Sequence, residues 1–296
     1  MSIEKGLLAE EDLSLGTGTF TRRGRTGFPI TVTKVSDLID GANGPLVDAR
    51  RFTNFNDAIA AAVGKTLLIA GSTNLPSGAI TIPVTVSVFP LQSGVINKSS
   101  ATSLTINGPV VGDPKHQWLS GFAAGEVFFG TLVSQVGSIW AGTGETAINI
   151  LKAALDAGGI INMNIGVEDI ATNITLNNPS VTLQGSGYNT QSGTNGTIIR
   201  KSANMTRGIF VTAEHCAVKN FKLDCNNKTG DGIVIQNCQG EFENIRITNV
   251  SGTGYAFKLD QSSESYLKRI RATDCYAGLY IGGTTGSQSV NIEDFG

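Results

Sequence analysis

Charged and aromatic side chains are both scarce in this sequence. They make up 16% and 7% of the 296 residues, and the formal net charge is only −2. This balance argues against broad electrostatic binding to nucleic-acid phosphates, so we expect no nucleic-acid partner. No run approaches the ~20 consecutive apolar residues that a helix needs to span a bilayer, so we expect no membrane insertion.

Histidine and cysteine are also rare, with two and four copies. No CxxC pair is present, and the spacing of these residues fits no zinc-binding pattern. We therefore predict no metal site and no cofactor. The four cysteines, Cys216, Cys225, Cys238 and Cys275, fit the role of small thiols buried in a core.

A secretion signal is missing from the first residues. Acidic side chains at Glu4, Glu10, Glu11 and Asp12 stand where a signal peptide would have a basic and then an apolar segment. We therefore expect the chain to be made in the cytoplasm and not exported through such a signal.

Glycine, by contrast, is abundant, with 37 copies, and a repeat runs through the C-terminal third. Segments that begin at Cys216, Gly240 and Ser265 can be laid over one another with a period of 24 and then 25 residues (218 to 242 to 267). The aligned apolar positions are Val218, Phe221 and Leu223, then Phe242, Ile245 and Ile247, then Leu267, Ile270 and Ala272. A fixed period of this length, built from short β-type runs, is typical of a β-solenoid.

Stacking of successive coils explains the repeat. Each coil carries strands too short to be stable alone, and coils ~4.8 Å apart allow every strand to pair with its equivalents above and below. Alternation along each strand directs the aligned apolar positions inward as columns. Lys222, Arg246 and Arg271 form an outward column, whose like charges must be separated by solvent or met by acids. We therefore predict an all-β fold with a continuous internal ladder.

Two helix signals each precede a set of short strands. One helix is expected after Asn54 or Thr53, and the other after Thr143 or Thr146. Their apolar stripes are Phe55, Ile59 and Ala62 in the first and Ile148, Leu151 and Leu155 in the second. A helix in this place can cover the exposed first edge of a solenoid, so we predict two tandem β-helical units, each preceded by a short capping helix.

A basic turn lies between two threonine-rich runs near the N-terminus. A lone two-stranded hairpin is marginal in water, so either an identical chain or a docking surface should complete it. We interpret the turn as a docking surface because flanking phenylalanines would be poorly accommodated on a free hairpin, although a solvated hairpin tip is the alternative. The docking residues would be Phe20, Arg22, Arg23, Arg25 and Phe28. We predict three domains: residues 1–44 form the arm and hairpin, residues 45–136 the first small β-helical unit, and residues 137–296 the start of the main parallel β-helix.

Two tryptophans stand near the boundary between the predicted units. Trp118 and Trp140 have side chains that could stack on sugar rings. Because they lie where one unit ends and the next begins, we favour a packing role between units or subunits.

Several segments resemble the opening of pectate-lyase-like right-handed β-helices. In the first half these are Phe55-Asn-Asp-Ala-Ile-Ala-Ala-Ala, Ala79-Ile-Thr-Ile-Pro-Val-Thr-Val, Thr102-Ser-Leu-Thr-Ile-Asn-Gly-Pro109 and Glu126-Val-Phe-Phe-Gly130. In the second half they are Glu145-Thr-Ala-Ile-Asn and Val181-Thr-Leu-Gln-Gly-Ser-Gly187. The hairpin run Leu15-Gly-Thr-Gly-Thr-Phe-Thr-Arg-Arg is similar to N-terminal attachment segments of bacteriophage tailspikes and tail fibres. These motifs are architectural and carry little chemistry.

The resemblance implies a homotrimeric virion protein of a phage tail. Its N-terminal segment would attach to a tail adaptor, portal or baseplate protein. Its right-handed parallel β-helix would carry the binding site for a host surface polysaccharide. Two alternatives remain open: a polysaccharide depolymerase, either glycoside hydrolase or lyase, and a non-enzymatic trimeric tail connector whose active region lies in another chain.

Paired carboxylates would be the catalytic signature of such a depolymerase. A glycoside hydrolase needs its two carboxyls ~5 Å apart when retaining and ~6.5–9.5 Å apart when inverting. Residues one or two coils apart come close to these distances. The weak catalytic candidates are Asp224, Asp274, Asp260 and Glu264, and other outward acids are Asp231, Glu241 and Glu243. Solvated turn acids fit these positions equally well, so we predict no catalytic site within residues 1–296. Any glycan depolymerase activity would then belong to a downstream region.

The final residues, Asn291 to Gly296, have the pattern of a strand with no cap after it. Unpaired strand edges are normally covered in β-proteins. We therefore expect either that more chain follows in the natural protein or that a partner covers this end.

Overall fold

The chain coils into a stack of parallel strands. The computed structural model describes residues 20–23, 29–32, 44–99, 102–112, 115–155, 158–188, 196–262, 264–283 and 289–296. These residues are mostly β, and their parallel sheets are arranged as a β-solenoid of about 10 turns. The predicted solenoid is therefore confirmed.

The regular elements are short, as the glycine and asparagine content requires. Two α-helices lie in the described part, α1 at Phe55–Ala61 and α2 at Gly144–Ala154, and single 3-10 turns lie at Ala49–Arg51 and Ser138–Ala141. In chain order the strands are β1 Phe20–Arg23, β2 Pro29–Val32, β3 Leu46–Asp48, β4 Thr66–Ile69, β5 Ser72–Asn74, β6 Gly78–Ile82, β7 Ser87–Pro90, β8 Val95–Asn97, β9 Thr102–Ile106, β10 Leu119–Ser120, β11 Val127–Phe129, β12 Gln135–Gly137, β13 Gly159–Asn162, β14 Gly166–Ile170, β15 Ile174–Leu176, β16 Val181–Gln184, β17 Thr197–Lys201, β18 Arg207–Val211, β19 Cys216–Asp224, β20 Asp231–Gln236, β21 Gly240–Thr248, β22 Tyr255–Asp260, β23 Tyr266–Thr273, β24 Ala277–Gly282 and β25 Asn291–Phe295.

The strands of successive coils join into long sheets that run along the solenoid. Three three-stranded sheets form first, in the orders β3-β4-β7, β5-β8-β10 and β6-β9-β11. A nine-stranded sheet follows in the order β12-β13-β16-β19-β21-β23-β25, with β14 and β17 joining it through β19. A five-stranded sheet has the order β15-β18-β20-β22-β24. From β17 onward the strands of the two larger sheets alternate along the chain, so the coils in this part contribute a strand to both.

The register of the nine-stranded sheet aligns the apolar residues of the ladder in columns. Val218 pairs with Phe242, and Phe242 pairs with Leu267. The columns that begin at Phe221 and at Leu223 are aligned in the same way. The buried ladder residues are Val218, Phe221, Leu223, Phe242, Ile245, Ile247, Leu267 and Ile270. The outward column of Lys222, Arg246 and Arg271 is also in register.

A left-handed residue interrupts each of these long strands. Asn220, Asn244, Arg269 and Asp294 have φ values of 62°, 54°, 52° and 60°. Asparagine tolerates this conformation well, and the Asn244 side-chain amide donates to the Asn220 oxygen at 3.0 Å. The bend resets the alternation, so residues three apart, such as Val218 and Phe221, both point into the core.

The two helices pack on the solenoid as the sequence pattern predicts. Asn54 caps α1 by accepting a hydrogen bond from the Asn56 N–H at 2.9 Å. Thr143 is the N-cap of α2 but makes no side-chain capping bond. Instead, the Glu168 carboxylate accepts from the Gly144 N–H at 2.9 Å. Helix α2 contacts β11 as well as β13, β14 and β15, so it lies where the small sheets end and the larger ones begin.

The apolar core continues through this junction. One cluster of buried residues extends from Val47 to Ile270. At the junction the buried rings of Trp118 and Trp140 meet edge to face with centroids 5.5 Å apart. Packing, and not sugar stacking, is therefore the role of both tryptophans, as their sequence positions indicate.

The N-terminal segment contributes one antiparallel pair. Strands β1 and β2 pair so that Phe20 lies opposite Val32 and Arg22 lies opposite Ile30. Arg25 and Phe28, two of the predicted docking residues, lie outside the described residues. No helix in the described part of the chain has the length and apolarity to cross a membrane.

Candidate functional site

The four weak catalytic candidates fall at two different turns of the coil. Asp224 and Asp274 lie where the chain passes from the nine-stranded to the five-stranded sheet, at the ends of β19 and β23. Asp260 is the last residue of β22, and Glu264 follows it where the chain passes back. A six-residue strand of about 20 Å separates the two turns, so the structure does not bring the four acids into one site.

Asp224 has a structural role at its turn. Its carboxylate accepts hydrogen bonds from the Asn249 side chain at 2.8 Å and from the Asn226 N–H at 2.9 Å. Burial acts to raise the pKa of Asp224, but these bonds and the Lys222 ammonium outweigh it, so the pKa lies below its usual value. An ionised, fully engaged carboxylate is a poor proton donor.

Asp274 does not form a stacked pair with Asp224. The register places Asp224 beside Thr248 and Thr248 beside Thr273, so Asp274 is one residue further along and two coils away. The two Cα positions are therefore roughly 10 Å apart or more. The exposed Asp274 carboxyl is then a turn residue that Asp224 does not face.

The acids at the other turn are equally separate. Asp260 accepts a hydrogen bond from the Gln236 amide at 3.3 Å, and Glu264 is exposed with φ 49°. Asp231, on the first turn, accepts from the Tyr255 N–H at 2.8 Å. Among the described residues no three histidine, cysteine, aspartate or glutamate side chains are close enough to hold a metal ion.

The cysteines are inert core residues. All four are free thiols, and Cys216, Cys225 and Cys238 are buried. Burial raises the pKa of both Cys225 and Cys238 to about 12. Thiols in this state are protonated at neutral pH and are weak nucleophiles.

An open groove of about 1150 Å³ runs along the junction beside α2. Two adjacent acids of β14 lie in its lining, Glu168 and Asp169. They point to opposite sides of the strand, because Glu168 is buried against the Gly144 N–H while Asp169 pairs with Arg200 at 2.6 Å. The groove therefore lacks a facing pair of carboxyls from this strand.

The outer face of the five-stranded sheet carries a different chemistry, and we call it the aromatic face. Its outward side chains form two columns across four coils. One column is Arg207, Asp231, Tyr255 and Ala277, and the other is Phe210, Val234, Lys258 and Tyr280. Gln236 and Asp260 lie at the end of the same face.

The side chains of the aromatic face stack on one another. The Tyr255 and Tyr280 rings lie 5.1 Å apart at 48°, and the Lys258 ammonium lies 5.4 Å from the Tyr280 ring centre. The Arg207 guanidinium lies 3.7 Å from the Phe210 ring centre. Half-exposed rings beside amide, ammonium and carboxylate groups form the kind of surface on which a sugar ring packs and hydrogen-bonds.

The sequence repeat carries a signal for this face that is independent of any pairing of acids. The runs Ala256-Phe-Lys-Leu259 and Gly278-Leu-Tyr-Ile281 belong to the same repeat, and their alignment places Lys258 over Tyr280. The tilted pairing of Tyr255 with Tyr280, however, joins different columns, so it depends on the side-chain directions that only the fold determines.

The chain matches no protein-family model, no curated protein and no solved structure. The resemblance to phage β-helices therefore rests on the sequence motifs alone.

Proposed function

We propose that this chain is the N-terminal region of a phage tailspike or tail fibre that binds a host surface polysaccharide. In this proposal it forms a homotrimer of right-handed β-helices with two tandem units. The segment around Phe20, Arg22, Arg23, Arg25 and Phe28 attaches to a tail adaptor, portal or baseplate protein. The protein is then located in the virion tail. Support comes from the hairpin motif and from the long parallel solenoid, an extended and rigid scaffold suited to a polymeric ligand.

One observation carries the binding part of the proposal: the stacked Tyr255 and Tyr280 rings with Lys258 on the aromatic face. Sugar rings present C–H groups on one face, which pack on aromatic rings, and hydroxyls at their rim, which need polar partners. The Gln236 amide and the Asp260 carboxylate supply such partners on the same sheet, where the amide nitrogen lies 3.3 Å from a carboxylate oxygen. The face spans several coils, so it can contact consecutive sugars of one chain.

Removal of both rings tests the binding site. The full chain and its Tyr255→Ala/Tyr280→Ala variant would be measured against immobilised capsular polysaccharide and lipopolysaccharide O-chains from candidate hosts. We expect at least about tenfold weaker binding for the double variant, from stacking losses of about 1 kcal/mol or more per ring. The matched control is Tyr276→Ala, since Tyr276 is highly exposed and lies outside both columns.

Binding by the double variant at the wild-type level would refute the aromatic face as the site. The absence of any glycan bound by the intact protein would refute the function. The virion assignment has its own test: antibodies raised against the chain should label tails of purified particles in electron micrographs, and sedimentation should give a trimer. A protein that is absent from tails or sediments as a monomer would contradict it.

A further inference from the structure

The outer face of the last coils in the nine-stranded sheet carries a dense set of charges, and we call it the charged face. It consists of the outward side chains of β19, β21, β23 and β25. Its cations are Lys219, Lys222, Arg246, Lys268, Arg269 and Arg271, and its carboxylates are Asp224, Glu241, Glu243, Glu293 and Asp294. Six positive side chains thus face five negative ones.

Every carboxylate of the charged face takes one of these cations as its partner. The ion pairs are Lys219–Glu241 at 2.6 Å, Lys222–Asp224 at 3.4 Å, Lys268–Glu293 at 3.4 Å, Arg269–Glu243 at 2.5 Å and Arg271–Asp294 at 2.8 Å. Five pairs use all five carboxylates and five of the six cations. The remaining cation is Arg246.

Arg246 has no hydrogen-bond or ion-pair partner among the described residues, and it is not fully exposed. Its Nε atom is buried and unsatisfied. The two Nη nitrogens also lack a partner in the described part of the chain but are not buried, so the unpaired positive charge is accessible to a ligand. The side chain stands in register between Lys222 and Arg271, one coil above and one below.

We propose that Arg246 is an anion-binding site that takes the carboxylate of an acidic polysaccharide. Its two accessible Nη nitrogens can donate two parallel hydrogen bonds to one carboxylate. The backbones of Lys222 and Arg271 lie about 5 Å from that of Arg246, one on each side along the stack, so both side chains add positive potential at the Arg246 guanidinium. This site lies on another sheet than the aromatic face, and it does not depend on the proposed function.

The surrounding acids determine which polyanion fits. Asp224 and Asp294 lie beside the two flanking cations, and Glu243 precedes Arg246 by three residues on the same strand. A polymer with a charge on every unit, such as a nucleic acid, would bring phosphates against these carboxylates and be repelled. An acidic glycan separates its carboxylates by neutral sugar rings, so one charge can reach Arg246 while its neighbours avoid the acids.

The test compares two arginines of the same face in the full chain. Arg246→Gln removes the unpaired cation, and Arg269→Gln is the control, because it changes the net charge equally but removes a cation already paired with Glu243. The probes are hyaluronan, which carries a carboxylate in each disaccharide, dextran sulfate, neutral dextran and oligo(dT). Binding is measured at several salt concentrations, and thermal unfolding checks that each variant folds.

We expect the wild type to bind hyaluronan. Arg246→Gln should bind it about tenfold or more weakly, since one charge-assisted bidentate contact is lost, whereas Arg269→Gln should weaken binding by less than about threefold. Arg246→Lys should fall between the wild type and Arg246→Gln, because it keeps the charge without the fork. Equal losses in Arg246→Gln and Arg269→Gln would mean general charge attraction and overturn the proposal. So would failure of the wild type to bind hyaluronan, or stronger binding of dextran sulfate or oligo(dT) than of hyaluronan. Neutral-glycan binding at the tyrosine pair is a separate measurement, so either proposal can fail alone.

Discussion

The charged face and the aromatic face are built by the same coils, but different side-chain contacts stabilise the stacked outward residues on each. Parallel pairing places equivalent side chains about 4.8 Å apart on both faces, so each outward residue needs an acceptable neighbour above and below. On the charged face, Lys219, Glu243 and Lys268 alternate in sign along one column. On the aromatic face, rings and cations stack instead, as Lys258 does on Tyr280.

Structural charges and candidate binding groups occupy different parts of these two faces. Opposite charges on adjacent coils neutralise one another within the protein, so most of the charged face is internally satisfied. The aromatic face leaves ring surface half-exposed, and Arg246 leaves a guanidinium unpaired. Ligand chemistry is therefore expected where stacking leaves something unsatisfied, and not where charge is merely dense.

The largest expected effect comes from the core that the two faces share. Phe242 points inward from the nine-stranded sheet and Phe257 from the five-stranded sheet, and their rings meet edge to face at 5.2 Å. Phe242→Ala should lower the free energy of unfolding by about 3–5 kcal/mol, because it leaves a cavity between both sheets. Urea unfolding measures this. The control Phe128→Ala removes an exposed ring and should cost less than about 0.5 kcal/mol, and equal losses would contradict the packing.

A smaller effect is expected at the turn that joins the two faces. Asp224→Asn should lower the free energy of unfolding by about 1–2 kcal/mol at pH 7, since it weakens the hydrogen bonds from Asn249 and Asn226. The folded pKa of Asp224 is below its usual 3.8, so the stabilisation is present above that pH and is lost as pH falls through the folded value. The difference between the proteins should therefore vanish in acid. Asp274→Asn, at an exposed carboxyl, should change the free energy of unfolding at pH 7 by less than about 0.5 kcal/mol, and a loss as large as that of Asp224→Asn would contradict the role of Asp224.

Breaking the charge alternation should have an effect of about 1 kcal/mol. Glu243→Lys places a third cation between Lys219 and Lys268 and removes the partner of Arg269. The loss in unfolding free energy should shrink in 1 M NaCl, because salt screens the repulsion. Gln236→Lys adds a charge on the aromatic face beside Asp260 and should be close to neutral. A salt-independent loss in Glu243→Lys would show that packing, and not charge, was disturbed.

The smallest effect is the coupling between the two tyrosines. A double-mutant cycle with Tyr255→Leu and Tyr280→Leu should give an interaction free energy of about 0.5–1 kcal/mol, which is typical of aromatic pairs. This value should not change with salt, in contrast to that of the charged face. An interaction free energy of zero would mean that the two rings do not stabilise one another, and it would contradict ring stacking as a source of stability on the aromatic face.

Sequence reasoning predicted the ladder because its signal is direct. A column of inward apolar residues repeats at the coil length, so aligning Val218, Phe242 and Leu267 gives the strand register itself. The helix caps were equally local, and Asn54 acts on a backbone group two residues away. What the pattern did not contain was the left-handed bend at Asn220 and Asn244, because alternation by two cannot show where a backbone reverses its phase.

The candidate acids illustrate the other limit. Asp224 and Asp274 have similar offsets in the repeat, but the register separates them by one residue and two coils. Spacing along the chain indicates only which coil an acid belongs to. The partners of Asp224, which are Asn249 one coil away and Asn226 in the turn, depend on how that turn is folded.

The amino-acid sequence by itself determined the solenoid and the register of its ladder, and it indicated where the two helices begin, because each depends on a periodic or local pattern. Only the tertiary structure decided that Tyr255 and Tyr280 stack, that the five carboxylates of the charged face form ion pairs with five of its six cations, and that Arg246 is the cation without a partner there. The physical reason is that periodicity specifies which residues share a column, whereas pairing depends on side-chain directions and turn geometry between neighbouring coils.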